Sequence, residues 1–106
     1  MHAIQTDRDP GGMEVVTVAA TAIGFTASKL IPSSGIYKGM IAQEVFCTLE
    51  TAPIRYTVDG TTPTTAIGHL VNIGDTLELY NPNMVNKFRA IRTTGTNGSL
   101  KCTFMF

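Results

Sequence analysis

Only two histidines, His2 and His69, could supply the general base that a serine, threonine or cysteine nucleophile needs. His2 lies in an amino-terminal segment without periodicity, and His69 stands beside Leu70 after a turn, where we expect a structural, hydrogen-bonded imidazole. No serine stands in the Gly-x-Ser-x-Gly turn that exposes the nucleophile of a hydrolase. The sequence therefore predicts that the protein is not an enzyme. An enzyme would require His69 to lie in a cleft with a carboxylate beside it.

Two aspartates, Asp59 and Asp75, could in principle pair for acid–base chemistry, as the two carboxylates of glycosidases do. Each of them adjoins a glycine, in Asp59-Gly60 and Gly74-Asp75. Aspartate is favoured in such turns because its side chain accepts hydrogen bonds from nearby backbone N–H groups. We therefore predict that both carboxylates cap turns.

Metal and cofactor sites are not predicted. A zinc site uses about four Cys or His ligands, and the four such residues of this chain, His2, Cys47, His69 and Cys102, include no short-spaced pair. A glycine-rich phosphate-binding turn is also missing. Both cysteines lie in alternating apolar runs, which predicts buried free thiols rather than a disulfide framework. The sequence leaves a cross-strand bond between the two cysteines open.

The charge content of the chain is low. Charged residues make up 15% of the 106 residues, against roughly 25% in typical globular domains. This deficit favours a surface that a neighbouring subunit partly covers, and a monomer with a threonine-rich surface is the alternative. Four cations after the last acidic residue (Lys87, Arg89, Arg92 and Lys101) make the carboxyl end basic. They are too sparse to predict nucleic-acid binding.

The segment that begins at Ile54 alternates apolar and polar residues with the period of a strand. This alternation predicts that Ile54, Tyr56 and Val58 line a core and that Arg55 and Thr57 meet water. Asp59-Gly60 then ends the strand with residues suited to positive φ angles.

Further segments show the same strand pattern. They are 14–27, a long central strand at 40–50, 76–80, 87–93 and 100–106. No helix is predicted, and only residues 83–88 have room for a helical turn. The spacing predicts an all-β fold, a small antiparallel β-sandwich or a jelly-roll-like barrel of roughly seven to nine short strands.

Residues 1–13 show no regular period and end in Pro-Gly-Gly, so we predict an extended amino-terminal arm and a single domain over 14–106. The arm either reaches a partner or folds back onto its own domain. Within it, His2, Ile4 and Arg8 are the candidate partner contacts. No apolar run is long enough for a membrane span. Without a signal-peptide pattern, the expected compartment is the cytoplasm.

Two tyrosines complete the set of candidate contacts. Tyr37 and Tyr80 lie next to predicted loops, whereas Tyr56 shares a face with core residues. Exposed aromatic rings can act as platforms for a sugar or a protein partner. Together with the loop at 61–65, Tyr37 and Tyr80 are the residues that would bind a glycan.

Four segments resemble small virion structural proteins of tailed bacteriophages. They are Ile54-Arg-Tyr-Thr-Val-Asp-Gly-Thr-Thr-Pro-Thr64, Gly68-His-Leu70, Gly74-Asp-Thr-Leu-Glu-Leu79 and Phe88-Arg-Ala-Ile-Arg92. The resemblance covers about residues 45–106, and its motifs belong to a β-fold rather than to an active site. It implies a non-enzymatic subunit of the particle, present in many copies.

From the resemblance we expect a capsid decoration or cement protein, made in the host cytoplasm and bound at the capsid surface to the major capsid protein or another virion protein. A homo-oligomer, dimer or trimer, is expected on the particle. The alternative function is a tail-associated or surface adhesion module that binds glycan.

Overall fold

A computed structural model describes residues 8–106 of the chain. The described residues form seven strands and two short helices. In chain order they are β1 (Pro10–Val18), α1 (Ala27–Leu30), β2 (Glu44–Glu50), β3 (Ile54–Thr57), β4 (His69–Val71), β5 (Thr76–Leu79), α2 (Pro82–Lys87), β6 (Arg89–Arg92) and β7 (Gly98–Met105).

The strands form two antiparallel sheets. One has four strands in the order β1-β7-β2-β5, and the other has three in the order β4-β3-β6. The predicted all-β fold is confirmed. Because the strands form two separate sheets and not one closed sheet, the fold is a sandwich.

The core lies between the two sheets and follows the predicted alternation in the central strands. Every second side chain of β2 and β7 is buried, including Cys47, Leu49, Leu100, Cys102 and Phe104. The two free thiols lie opposite each other in the β2–β7 register, with their Sγ atoms 3.3 Å apart. The neighbouring thiol and burial raise the pKa of Cys47 well above its usual value.

An aromatic cluster fills the space between the sheets. The ring of Phe25 stacks on that of Phe88 with centroids 4.5 Å apart and meets Phe104 edge-on at 5.2 Å. Tyr56 stacks on the other side of Phe88, at 5.8 Å. Phe88, which immediately precedes β6, therefore packs on β3 through Tyr56 and on Phe25, and Phe25 in turn contacts Phe104 of β7 in the other sheet.

The expectation that Thr57 faces water is wrong. Thr57 is buried, because its hydroxyl donates to the carbonyl oxygen of Thr61 and the following loop folds over it. Because the hydroxyl makes this hydrogen bond, burying Thr57 leaves no polar group without a partner.

Residues 22–27 do not form the predicted strand. Only Ile23 pairs, through two backbone hydrogen bonds of 2.9 Å with Ala90. Phe25 then enters the core, which draws the chain out of the sheet, and α1 follows where a loop was expected. A Cβ at Gly24 would lie 2.8 Å from the carbonyl oxygen of Phe88, so this close passage needs glycine.

The one segment with room for a helical turn, 83–88, coincides with most of α2. Asn81 caps this helix, because its Oδ1 accepts a hydrogen bond of 2.9 Å from the backbone N–H of Met84. Pro82 occupies the first turn, where a missing N–H costs nothing.

The boundary predicted after residue 13 falls inside β1. This strand begins at Pro10 and pairs with β7 as far as Met105. Just before it, Asp9 and Phe106 exchange two backbone hydrogen bonds, in which each N–H donates to the carbonyl oxygen of the other residue. The described end of the predicted arm thus lies on its own domain. The physical reason is that β7 runs to the carboxyl end and offers backbone groups there. His2 and Ile4 lie outside the described residues.

Candidate binding surfaces

Arg8 is held against the start of β2. Its guanidinium Nε lies 3.0 Å from Oε1 of Glu44, and both side chains remain partly exposed. A surface ion pair of this kind contributes roughly 0 to 1 kcal/mol, so it positions Arg8 more than it stabilises the fold.

Tyr37 lies beside the end of β7. Its ring stacks on that of Phe106 with centroids 5.0 Å apart and an interplanar angle of 15°. Gly11 packs against both rings, and a Cβ there would come within 2.6 Å of each. Desolvation, followed by the charge of Asp9 and a hydrogen bond to it, raises the pKa of Tyr37. Tyr37 is therefore half-buried, with its hydroxyl beside a carboxylate.

Tyr80 is exposed at the end of β5. Its hydroxyl donates a hydrogen bond of 2.7 Å to Oε2 of Glu78. This bond, then desolvation and the charges of Glu78 and Glu44, raise the pKa of Tyr80. The charge of Glu44 thus acts on Tyr80, and the same carboxylate pairs with Arg8.

The structure thus gathers three of the five predicted contacts at one end of the four-stranded sheet. We name this surface the tyrosine patch. It has two parts: Tyr37 with Asp9 beside the end of β7, and Tyr80 with Glu78, Glu44 and Arg8 at the end of β5 and the start of β2. It offers two aromatic rings, three carboxylates as acceptors and one guanidinium as donor. Sequence reasoning missed the three carboxylates, because Asp9 is positioned by its pairing with Phe106 after β7, and Glu44 and Glu78 by the position of β2 beside β7 and β5.

The loop at 61–65 does not join the tyrosine patch. It packs on the three-stranded sheet, where Nη1 of Arg89 donates to the Thr62 hydroxyl at 3.1 Å and Nε of Arg55 donates to the Thr65 carbonyl oxygen at 3.0 Å. The prediction that this loop forms one site with Tyr37 and Tyr80 is therefore wrong.

A shallow cavity of about 340 Å³ is lined by both His69 and Asp59, so the combination of histidine and carboxylate that an enzyme would require is present in one cavity. Asp59 accepts the backbone N–H of Thr61 at 3.0 Å, as expected of a turn-capping aspartate, and this bonding lowers its pKa. Asp75 likewise accepts the backbone N–H of Asn72 at 2.8 Å. Asp59 is thus an ionised acceptor, suited to binding a hydroxyl or a cation and poorly suited to donating a proton.

No group of three His, Cys, Asp or Glu side chains in the described part of the chain is placed to hold a metal ion. No helix within residues 8–106 is long and apolar enough to cross a membrane.

Large apolar side chains crowd the connection between α1 and β2. Four of them are exposed, and we name them the apolar loop: Ile31, Ile36, Met40 and Ile41. Ile36 is 87% exposed at a turn whose preceding Gly35 has φ +83°. Backbone bonds hold the loop in shape, from the N–H of Gly39 to Pro32 at 2.9 Å and from that of Ala42 to Leu30 at 2.8 Å.

A groove of about 350 Å³ adjoins the apolar loop between α1 and α2. Ile31 and Ile41 of the apolar loop line it, together with Leu30, Pro82 and Val85. Ile31 and Ile36 fall in a segment without a strand pattern, whereas Met40 and Ile41 belong to the strand predicted at 40–50; that start is wrong, because β2 begins at Glu44. The concentration of isoleucine and methionine within this loop was the signal of an exposed apolar surface.

Residues 32–102 match the family model described as the Chitobiase/beta-hexosaminidase C-terminal domain. The matched range contains the four segments from which a phage structural protein was expected, as well as most of the apolar loop. No curated protein and no solved structure matches the chain.

Proposed function

Because the chain belongs to the chitobiase/β-hexosaminidase C-terminal domain family, we propose that it is a non-enzymatic module that works by holding its surface against another macromolecule. The matched family is a non-catalytic C-terminal domain of glycosidases, which is compatible with this role. The turn-capping role of Asp59 supports the same view, because this carboxylate is already engaged by the backbone of its own loop.

The first candidate role is that of a phage virion structural protein, a decoration or cement subunit on the major capsid protein or another virion protein. The observation that carries it is the apolar loop, since exposed isoleucine side chains gain free energy only when a partner covers them. Burial of apolar area contributes about 25 cal/mol per Å². Small contributions of this size, repeated over symmetric copies, would stabilise a shell.

Replacing Ile36 by aspartate tests this role. We expect the variant to fold, because the side chain is exposed, and to lose about tenfold or more of its affinity for phage particles prepared without this chain, because a carboxylate would be desolvated in the contact. Co-sedimentation of the purified chain with the particles measures the loss.

Ile73→Asp is the matched control. Ile73 is 57% exposed but lies in the turn between β4 and β5, at the other end of the sandwich from the apolar loop. The affinity of this variant for the particles should therefore equal that of the unaltered chain. Equal losses in the two variants, or no binding by the unaltered chain, would refute the proposed contact.

The second candidate role is glycan binding. Two observations favour it. The family takes its name from chitobiases and β-hexosaminidases. The tyrosine patch also combines the exposed ring of Tyr80 with carboxylate acceptors. Sugar rings stack on aromatic faces while their hydroxyls donate to carboxylates.

Titration calorimetry with hexosamine-containing oligosaccharides tests the second role. Tyr80→Ala should abolish the heat of binding, whereas Tyr80→Phe keeps the ring and should retain most of the affinity. Binding that persists in Tyr80→Ala would place the glycan elsewhere, and no heat with the unaltered chain would reject the role.

A further inference from the structure

The four sheet edges formed by the described residues are not equally protected. β4 has three residues, β5 has four and carries Glu78, and β6 carries an arginine at each end and is partly covered by Ile23. Short length, charge and cover are the devices by which proteins prevent edge-to-edge pairing. β1 lacks them.

β1 is the longest strand of the described chain, with nine residues, and it lies at the edge of the four-stranded sheet. Its irregularity is confined to the start, between Pro10 and Gly12. From Met13 onward it is regular, and the outward-facing Met13 and Val15 are 55% and 52% exposed. An extended, apolar edge of this kind is a template for another strand.

The one charged side chain of β1 does not block pairing. The carboxylate of Glu14 accepts hydrogen bonds from the backbone N–H of Thr26, at 3.1 Å, and from the Thr26 hydroxyl. It is therefore turned toward its own domain and does not project across the edge.

We propose that β1 pairs antiparallel with β1 of a second copy of this chain, joining two four-stranded sheets into one. A two-fold axis perpendicular to the sheet keeps the outer faces of both copies on the same side. Centred on Val15, it places Val15 opposite its own copy and Met13 opposite Thr17. Centred on Glu14, it would oppose two carboxylates, which is unfavourable.

A second copy is the occupant that the strand itself specifies. It has the same length, no outward charge between Met13 and Val18, and a backbone that supplies the missing donors and acceptors in matching order. The joined outer face carries Met13 and Val15 from each copy beside the aliphatic part of Lys101, which pairs with Val15 in the sheet. This surface is separate from the apolar loop, so self-association and partner binding use different residues.

Light scattering coupled to size exclusion, over a range of concentrations, tests the dimer. The unaltered chain should elute with twice the mass of one chain. Val15→Lys, which opposes two ammonium groups, should raise the dissociation constant about tenfold to a hundredfold. Leu70→Lys is the matched control, since Leu70 is 49% exposed on the edge strand β4 and should leave the dimer intact.

Oxidative cross-linking tests the register independently of those masses. Val15→Cys should form a covalent dimer in high yield, and Thr17→Cys should not, because Thr17 faces Met13 of the second copy. The native thiols of Cys47 and Cys102 are buried, so the cross-linking of the unaltered chain gives the background yield. A single-chain mass for the unaltered protein at every concentration, or equal cross-linking of the two variants, would overturn the proposal.

Discussion

Replacing Phe88 by alanine is expected to lower the free energy of unfolding by about 3 to 5 kcal/mol. Phe88 is 1% exposed and stacks between Phe25 and Tyr56, so its removal leaves a cavity that rings on both sides line. Total stabilities of small domains are about 5 to 15 kcal/mol, so this loss is a large share of the whole. Urea denaturation followed by circular dichroism measures it, because the chain has no tryptophan.

Leu70→Ala is the control for the Phe88 variant. Leu70 lies on the outer face of β4, and its truncation should change stability by no more than about 0.5 kcal/mol. Phe88→Leu retains most of the apolar volume and should fall between the two. A loss below about 1 kcal/mol in Phe88→Ala would mean that the aromatic cluster does not hold the sheets together.

The central strands were predictable because local alternation decides their faces. In β2 and β7, period-two patterns place Cys47, Leu49, Cys102 and Phe104 in the core, as the structure confirms. Which strand pairs with which, however, depends on contacts between residues far apart in the sequence, as in the pairing of Cys47 with Cys102. No local pattern encodes that register.

Connections were predicted less well, because their path depends on which part of the core they fill. Phe25 leaves the strand pattern to stack on Phe88, far along the chain, and α1 follows from that detour. For a similar reason the first strand begins at Pro10 and not after residue 13, where the domain was predicted to begin. The end of β7 offers backbone groups with which Pro10 and its neighbours pair.

The tyrosine patch shows the same limit at a functional surface. Tyr37 and Tyr80 were chosen because they adjoin loops, which the sequence displays directly. Their neighbours Glu44 and Glu78 could not be chosen, because they reach the patch only through the pairing of β2 and β5, in which Glu78 lies opposite Phe46. The proposed glycan-binding role therefore depends on geometry that only the folded sheet supplies.

The turn before β4 provides the second large stability effect. Gly68 has φ +127°, a region that side chains rarely enter, and a Cβ there would lie 2.9 Å from the carbonyl oxygen of Tyr56. The carbonyl oxygen of Gly68 also accepts a hydrogen bond of 3.0 Å from Nη1 of Arg55. A shift that relieved the clash would disturb this bond and the start of β4.

Gly68→Ala is therefore expected to lower the free energy of unfolding by about 3 kcal/mol, combining backbone strain with a clash against backbone atoms. Gly60→Ala separates the two causes. Gly60 also has positive φ, +94°, but a Cβ there would meet no atom within 4 Å, so strain alone should cost about 1 to 2 kcal/mol. Denaturant titrations of the two variants measure the difference. Equal losses would show that the close approach of Tyr56 contributes nothing and that this turn is specified by φ alone.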